Sequence, residues 1–352
     1  MKNNLFLLIF SFFFSLLLGE ILIRYAENQV IKNHAKKRQY ETYKKIYSDL
    51  RESKPYLYFK KPNINVKLKN GYYNFTMITN SEGLREINDY KKIKKSIIYL
   101  GDSIIEGASV ENHETIDSHF ENITGITSLN FGLGSANTIQ EYYLLMDKYK
   151  SSYNTKLVIL GFCLNDLTSN TYTRYFDPKV GNWKLYEYLQ KANEDLTISS
   201  MLKSLLKKSK LIVFLYNKIN DEDKNPRLII NEKHNAKRYS ETMIHNTELY
   251  INKISEFCTS IGSEFMVVIF PYESQLKTEK VLKNQAQDVL KTILTKNNIK
   301  FLDLYEPLHF QYNNNKNIRW YHDEAHPYKE GTKFIAEFIA KKLPDYFPNL
   351  FF

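Results

Sequence analysis

Gly101-Asp102-Ser103 ends the apolar run Ser96–Leu100, and Tyr321-His322-Asp323-Glu324-Ala325-His326-Pro327 stands ahead of the last helical stretch. A serine hydroxyl becomes a nucleophile when a base takes its proton and a carboxylate holds that base in the correct tautomer. Asp323 and His326, three residues apart, could supply both from one loop. A second chemistry competes for the same stretch, because His322 and His326 are four apart, as in a zinc-binding helix. Against zinc, Asp323 stands where that motif has Glu, and Pro327 disfavours a helical residue at His326.

Two further segments could serve the same chemistry. Asn130-Phe131-Gly132-Leu133-Gly134-Ser135 places two glycines just after a short strand, where a backbone N–H can turn toward a ligand. Gly161-Phe162-Cys163-Leu164-Asn165-Asp166 ends a strong apolar run, and an amide at Asn165 can donate to a developing oxyanion that a carboxylate would repel. Taken singly, each of the four segments is equally an ordinary turn.

The elements that must position them alternate. Strands are expected at 96–100, 127–130, 156–161, 264–270 and 300–304, with helices at 114–122, 138–150, 274–297 and 328–342. Apolar runs without alternation, separated by helical periods, predict a parallel sheet covered on both faces. Residues 171–260 interrupt the rhythm and read as a mostly helical insertion, with helical periodicity over 202–219 and 240–260. All four candidate segments follow predicted strands or precede the last helix, which is where an open α/β sheet keeps its ligands.

Their order, Gly-Asp-Ser, a glycine turn, Gly-x-x-x-Asn-Asp and Asp-x-x-His, resembles the SGNH (GDSL-type) hydrolase superfamily over residues 80–343. The resemblance implies a three-layer α/β/α, flavodoxin-like fold with about five parallel strands. It implies Ser103 as nucleophile, His326 as base and Asp323 as its orienting acid. It also implies an oxyanion hole from the Ser103 N–H, the Asn165 amide and a second-block N–H, which falls on Gly134 or, with a gap, on Ser135. No metal or other cofactor is expected. The expected activity is hydrolysis of small acyl esters, with O-acetyl groups on cell-envelope carbohydrate as a candidate class. O-acyl transfer by the same residues and non-catalytic glycan binding are the alternatives.

Leu5–Ile23 is almost wholly apolar and, at about 1.5 Å per residue, reaches roughly across a bilayer core. It reads as a membrane anchor within 1–24, followed by a charged juxtamembrane helix over 25–54 and a small β extension over 55–95. The hydrolase domain is then expected over 96–345. The leader and Asn80-Ser81-Glu82-Gly83-Leu84-Arg85 resemble a membrane-anchored bacterial subgroup of the same superfamily.

The formal charge is +10, but residues 1–70 hold 14 Lys/Arg against 5 Asp/Glu, so the excess belongs to the N-terminal arm. That distribution suits a lipid surface and argues against a nucleic-acid partner. Charge bias alone would place the body in the cytoplasm. The resemblance favours the extracytoplasmic side, which is the reading adopted. Cys163 and Cys258 form no metal or disulfide pattern and read as buried apolar thiols. The oligomeric state is not legible.

Overall fold

The computed structural model describes residues 45–49, 54, 56, 58–70, 73–90, 93–171, 173–177, 182–186, 236, 239–278 and 285–350, with part of 11–22. Residues 41–188 and 230–352 form one compact unit. It begins with two short antiparallel pairs, β1 (Tyr47–Asp49) with β2 (Tyr58–Lys60), and β3 (Asn65–Asn70) with β4 (Tyr73–Ile78). Next come β5 (Ser96–Gly101), α1 (Ser103–Glu106), α2 (Ile116–Thr124), β6 (Thr127–Gly132), α3 (Thr138–Lys148) and β7 (Thr155–Cys163). After α4 (Asp166–Ser169) and the hairpin β8 (Thr173–Asp177) and β9 (Asn182–Tyr186) follow α5 (Glu241–Ser260), β10 (Glu264–Phe270) and α6 (Glu273–Leu276). The unit closes with α7 (Ala286–Lys296), β11 (Lys300–Asp303), α8 (Tyr305–Asn314) and α9 (Lys329–Tyr346).

β11, β10, β7, β5 and β6 make one five-stranded parallel sheet in that order. Numbered along the chain the order is 2-1-3-4-5, so the connections reverse at β5, and ligands of open α/β sheets collect outside such a reversal. Both faces are covered, which is why the strands read as unbroken apolar runs. Ile98 and Leu100 point into a core with Leu144 of α3, Ile254 of α5 and Leu290 of α7. Ile97 and Tyr99 point the other way, to Phe120 of α2 and Ile339 of α9.

Two expectations need correcting, and one element was not foreseen. The helix over 240–260 forms, but it is not part of an inserted cap: Ile251, Ile254 and Cys258 are buried in the main core. Parallel neighbours such as β7 and β10 need a crossover helix, and α5 packs as one. Within the stretch expected to be helical over 25–54, Tyr47–Asp49 are a strand, because pairing with β2 and burial of Ile46 outweigh local helix propensity. Finally, α8 occupies a stretch for which no element was foreseen.

The apolar leader 5–23 and the helical period over 202–219 fall largely or wholly outside the described residues. Among the described residues, no helix is long and apolar enough to cross a membrane. Both cysteines are free and buried, as expected.

Candidate active site

Three glycines share one row of the sheet: Gly101 of β5 lies opposite Gly132 of β6 and Gly161 of β7. They form a flat platform for α1. A Cβ at Gly132 would come within 2.1 Å of the Glu106 backbone nitrogen, and one at Gly161 within 2.4 Å of the Ile105 side chain. Because the platform carries no side chains, α1 can lie across three strand ends. Asp102 starts the helix by accepting the Ile104 N–H at 2.8 Å, and Gly107 ends it in the left-handed region at φ 75°. Ser103 is thereby fixed in the first turn at the carboxyl edge of β5.

The second half of the site is the tight loop after α8. Tyr321 pairs with Pro327, and the His322 N–H donates to the His326 carbonyl at 2.8 Å. Asp323 Oδ1 accepts the backbone N–H groups of Ala325 and His326, each at 3.0 Å. Tyr321 Oη donates to the Pro271 carbonyl at 2.9 Å, and Ser109 Oγ donates to the Pro327 carbonyl at 2.8 Å. The loop is therefore tied both to the end of β10 and to the segment that follows Ser103.

Between these halves, His326 Nε2 lies 2.8 Å from Ser103 Oγ, and its Nδ1 lies 2.8 and 2.9 Å from the two Asp323 oxygens. A carboxylate accepts only, so Nδ1 carries the proton and Nε2 is left to accept from the serine hydroxyl. Burial alone would lower the His326 pKa, but the hydrogen bond and charge of Asp323 outweigh it and raise it above the ordinary imidazole value. Asp323 is 40% exposed, and despite partial burial the same partnership holds its pKa well below the usual carboxylate range. Both ring nitrogens of His326 are engaged, while His322 Nδ1 accepts from Arg319 at 3.0 Å. The loop is not helical at His326, consistent with Pro327.

Gly134 and Asn165 lie beyond the ends of the flanking strands β6 and β7 and make no hydrogen bond to these three residues. Asn165 caps α4 with its backbone, accepting the Thr168 and Ser169 N–H groups at 3.0 and 2.9 Å. Its side-chain amide makes no hydrogen bond among the described residues, and Oδ1 is buried. The left-handed conformation in the second block falls on Ser135, at φ 64°, not on Gly134. A non-glycine residue there costs on the order of 1 kcal/mol. What requires glycine at 134 is Glu106, whose Oε2 would be 2.8 Å from a Cβ.

Several buried charges near the site were not foreseen. Asp102 has its pKa pushed up to about 6 by burial, against the opposing effects of the Ile104 N–H and His326. Glu106 is 2% exposed, accepts from Tyr47 Oη with both oxygens at 2.9 Å, and lies 3.7 Å from Lys60 Nζ. Arg85 is 1% exposed and donates to the carbonyls of Glu106, Gly107 and, at 2.5 Å, Val110. Asp102 lies in Gly101-Asp102-Ser103 and Arg85 ends the Asn80–Arg85 motif, whereas Glu106 stands in no motif singled out in the sequence. Asn80 Oδ1 accepts the Glu82 and Leu84 N–H groups at 3.0 Å each, a turn that delivers Arg85 inward.

Residues 97–339 match the model of the GDSL-like lipase/acylhydrolase family. No curated protein matches the chain. Among solved structures, the chain is similar to an acetyl xylan esterase, at 13% identity and a TM-score of 0.41, covering 71% of this chain and 99% of that one. It is similar to a lipolytic protein of the G-D-S-L family from Veillonella parvula, at 14% identity and a TM-score of 0.37, covering 70% and 97%. A lipase/acylhydrolase from Enterococcus faecalis matches at 12% identity and a TM-score of 0.38, covering 72% and 96%.

Proposed function

The chain belongs to the GDSL-like lipase/acylhydrolase family, and on that premise we propose that it hydrolyses esters with Ser103 as nucleophile, His326 as general base and Asp323 as the orienting acid. The observation that carries this reading is the single imidazole bound at Nδ1 by Asp323 and at Nε2 by Ser103. Ser103 Oγ attacks the ester carbonyl as its proton passes to Nε2. Asp323 stabilises the imidazolium that forms and keeps the ring in register. His326 then returns the proton to the leaving alkoxide, which yields an acyl group on Ser103. Water, deprotonated by the same nitrogen, attacks the acyl carbonyl and releases the acid.

The oxyanion receives the Ser103 N–H, the Asn165 amide and an N–H from the Gly134–Ser135 turn. Support comes from the strand register, which brings these three segments out side by side, and from the absence of an acceptor for those donors among the described residues. Fluorophosphonate labelling followed by intact mass spectrometry tests the assignment. One adduct is expected on the native chain, none on Ser103→Ala and slow labelling on His326→Ala, whereas equal labelling of Ser103→Ala refutes it.

The substrate is a small O-acyl ester, with O-acetylated envelope carbohydrate as the class suggested by the likeness of the leader and the Asn80–Arg85 motif to anchored members. The same likeness supports a single membrane pass by residues 5–23 with the catalytic unit outside the cytoplasm. Acetate release from acetylated glycans and protease accessibility on intact cells check the two statements separately.

A further inference from the structure

Strand β2 sends two polar side chains into the interior beneath the turn that follows β6. Tyr58 is 4% exposed and Lys60 2%. The Tyr58 hydroxyl donates to the Gly134 carbonyl, and the Lys60 ammonium donates to the Gly132 carbonyl. Two more hydrogen bonds complete the turn: Leu133 N–H to the Gly101 carbonyl and Ala136 N–H to the Leu133 carbonyl, both at 2.9 Å. The N–H groups of Gly134 and Ser135 have no acceptor among the described residues.

A peptide unit is planar and trans, so the Gly134 carbonyl and the Ser135 N–H point in opposite directions. By holding the carbonyl, Tyr58 aims that N–H away from the extension. The aim is not one the turn would choose alone. Leu133–Ala136 has a positive φ at its third position, as in a type II turn, and a serine there relaxes to negative φ if the preceding peptide flips. Lys60 fixes the peptide before the turn. A fully buried ammonium is costly, and burial pulls its pKa down to about 8 despite Glu106. Glu106, Lys60's partner at 3.7 Å, also lies where a Cβ on Gly134 would meet its Oε2 at 2.8 Å, so the same cluster of side chains crowds the turn.

We infer that Tyr58 and Lys60 are positioning residues that aim the Ser135 N–H, and not that of Gly134, as the second-block oxyanion donor. The inference rests on the reading of Ser103 as nucleophile. It makes the N-terminal extension part of the machinery that tunes the reaction.

The test is Tyr58→Phe in the full chain, which deletes one oxygen, with p-nitrophenyl acetate kinetics and a crystal structure of the variant. Expected are a fall in kcat of about tenfold or more with KM within about twofold, and Ser135 moved to negative φ. Adding Ser135→Gly, which removes the cost of positive φ, is expected to restore most of the lost kcat. Lys60→Met is expected to lower kcat in the same way, and it serves if the tyrosine variant does not fold. Native kcat in Tyr58→Phe, or failure of Ser135→Gly to rescue it, overturns the inference while leaving Ser103 as nucleophile. If Ser103→Ala hydrolyses at the native rate, it is the Ser103 reading that fails. Even then, Ser135 kept at positive φ in Tyr58→Phe overturns the positioning role.

Discussion

Asp323 binds His326 twice over: one carboxylate accepts the ring Nδ1–H at 2.8 Å and the backbone N–H of the same residue at 3.0 Å. One acidic side chain thus sets both the fold of the loop and the tautomer of the His326 imidazole. Replacing Asp323 by Asn leaves the loop's carbonyl acceptor but removes the charge. A base must be neutral to act, so hydrolysis by the native chain is expected to rise with pH through an inflection above the ordinary imidazole value of 6.5, since Asp323 raises His326. Asp323→Asn is expected to lower kcat by about 10³- to 10⁴-fold and to move the inflection down. A kcat–pH profile of both chains checks the size and the sign.

Asn165 offers its amide at the end of β7 without any hydrogen bond among the described residues to hold it back. Asn165→Ala is expected to lower kcat by about 10²-fold with little change in KM, as for loss of one donor to an oxyanion. The backbone cap of α4 remains, so thermal unfolding is expected to stay near the native midpoint.

Arg85 holds three carbonyls around α1 with a planar fork that lysine cannot reproduce. Arg85→Lys keeps the charge and leaves those buried acceptors short of donors, at a cost of about 2 kcal/mol or more. Urea unfolding measures this directly, and an unchanged midpoint contradicts the role given to Arg85.

Glu141 of α3 is fully buried, and neither carboxylate oxygen has a hydrogen-bond partner among the described residues. Burial first, then Asp166 and Asp102, hold its pKa well above the ordinary glutamate value. In the folded chain it keeps a proton that the unfolded chain has lost, so its contribution to stability worsens as pH rises above the ordinary carboxylate range. Glu141→Gln removes that dependence. A rise in Tm of about 2 °C or more is expected at pH 8, on the order of 1 kcal/mol, and little change near pH 4.

The sheet and the juxtaposition of Ser103, His326 and Asp323 were legible because each rests on local pattern. Strands buried on both faces must be apolar throughout, and a nucleophile at a strand tip needs glycine just before it. Asp323 and His326 lie in one short loop. What escaped notice depends on partners distant in sequence. Lys60 sits in Tyr58-Phe59-Lys60 like any lysine at a strand end, and the groups that offset its burial, Glu106 and the Gly132 carbonyl among them, lie far away in sequence. The strand at Tyr47–Asp49 exists because β2 lies beside it. The sequence left the second-block position open between Gly134 and Ser135, and it is Ser135 that carries the positive φ.

With Ser103 as the acylated residue and His326 as its base, steady-state hydrolysis of p-nitrophenyl acetate should separate the native chain from Ser103→Ala. A loss of at least about 10⁴-fold in kcat/KM, with an unchanged circular dichroism spectrum, is the predicted result. Hydrolysis by Ser103→Ala at the native rate would contradict it.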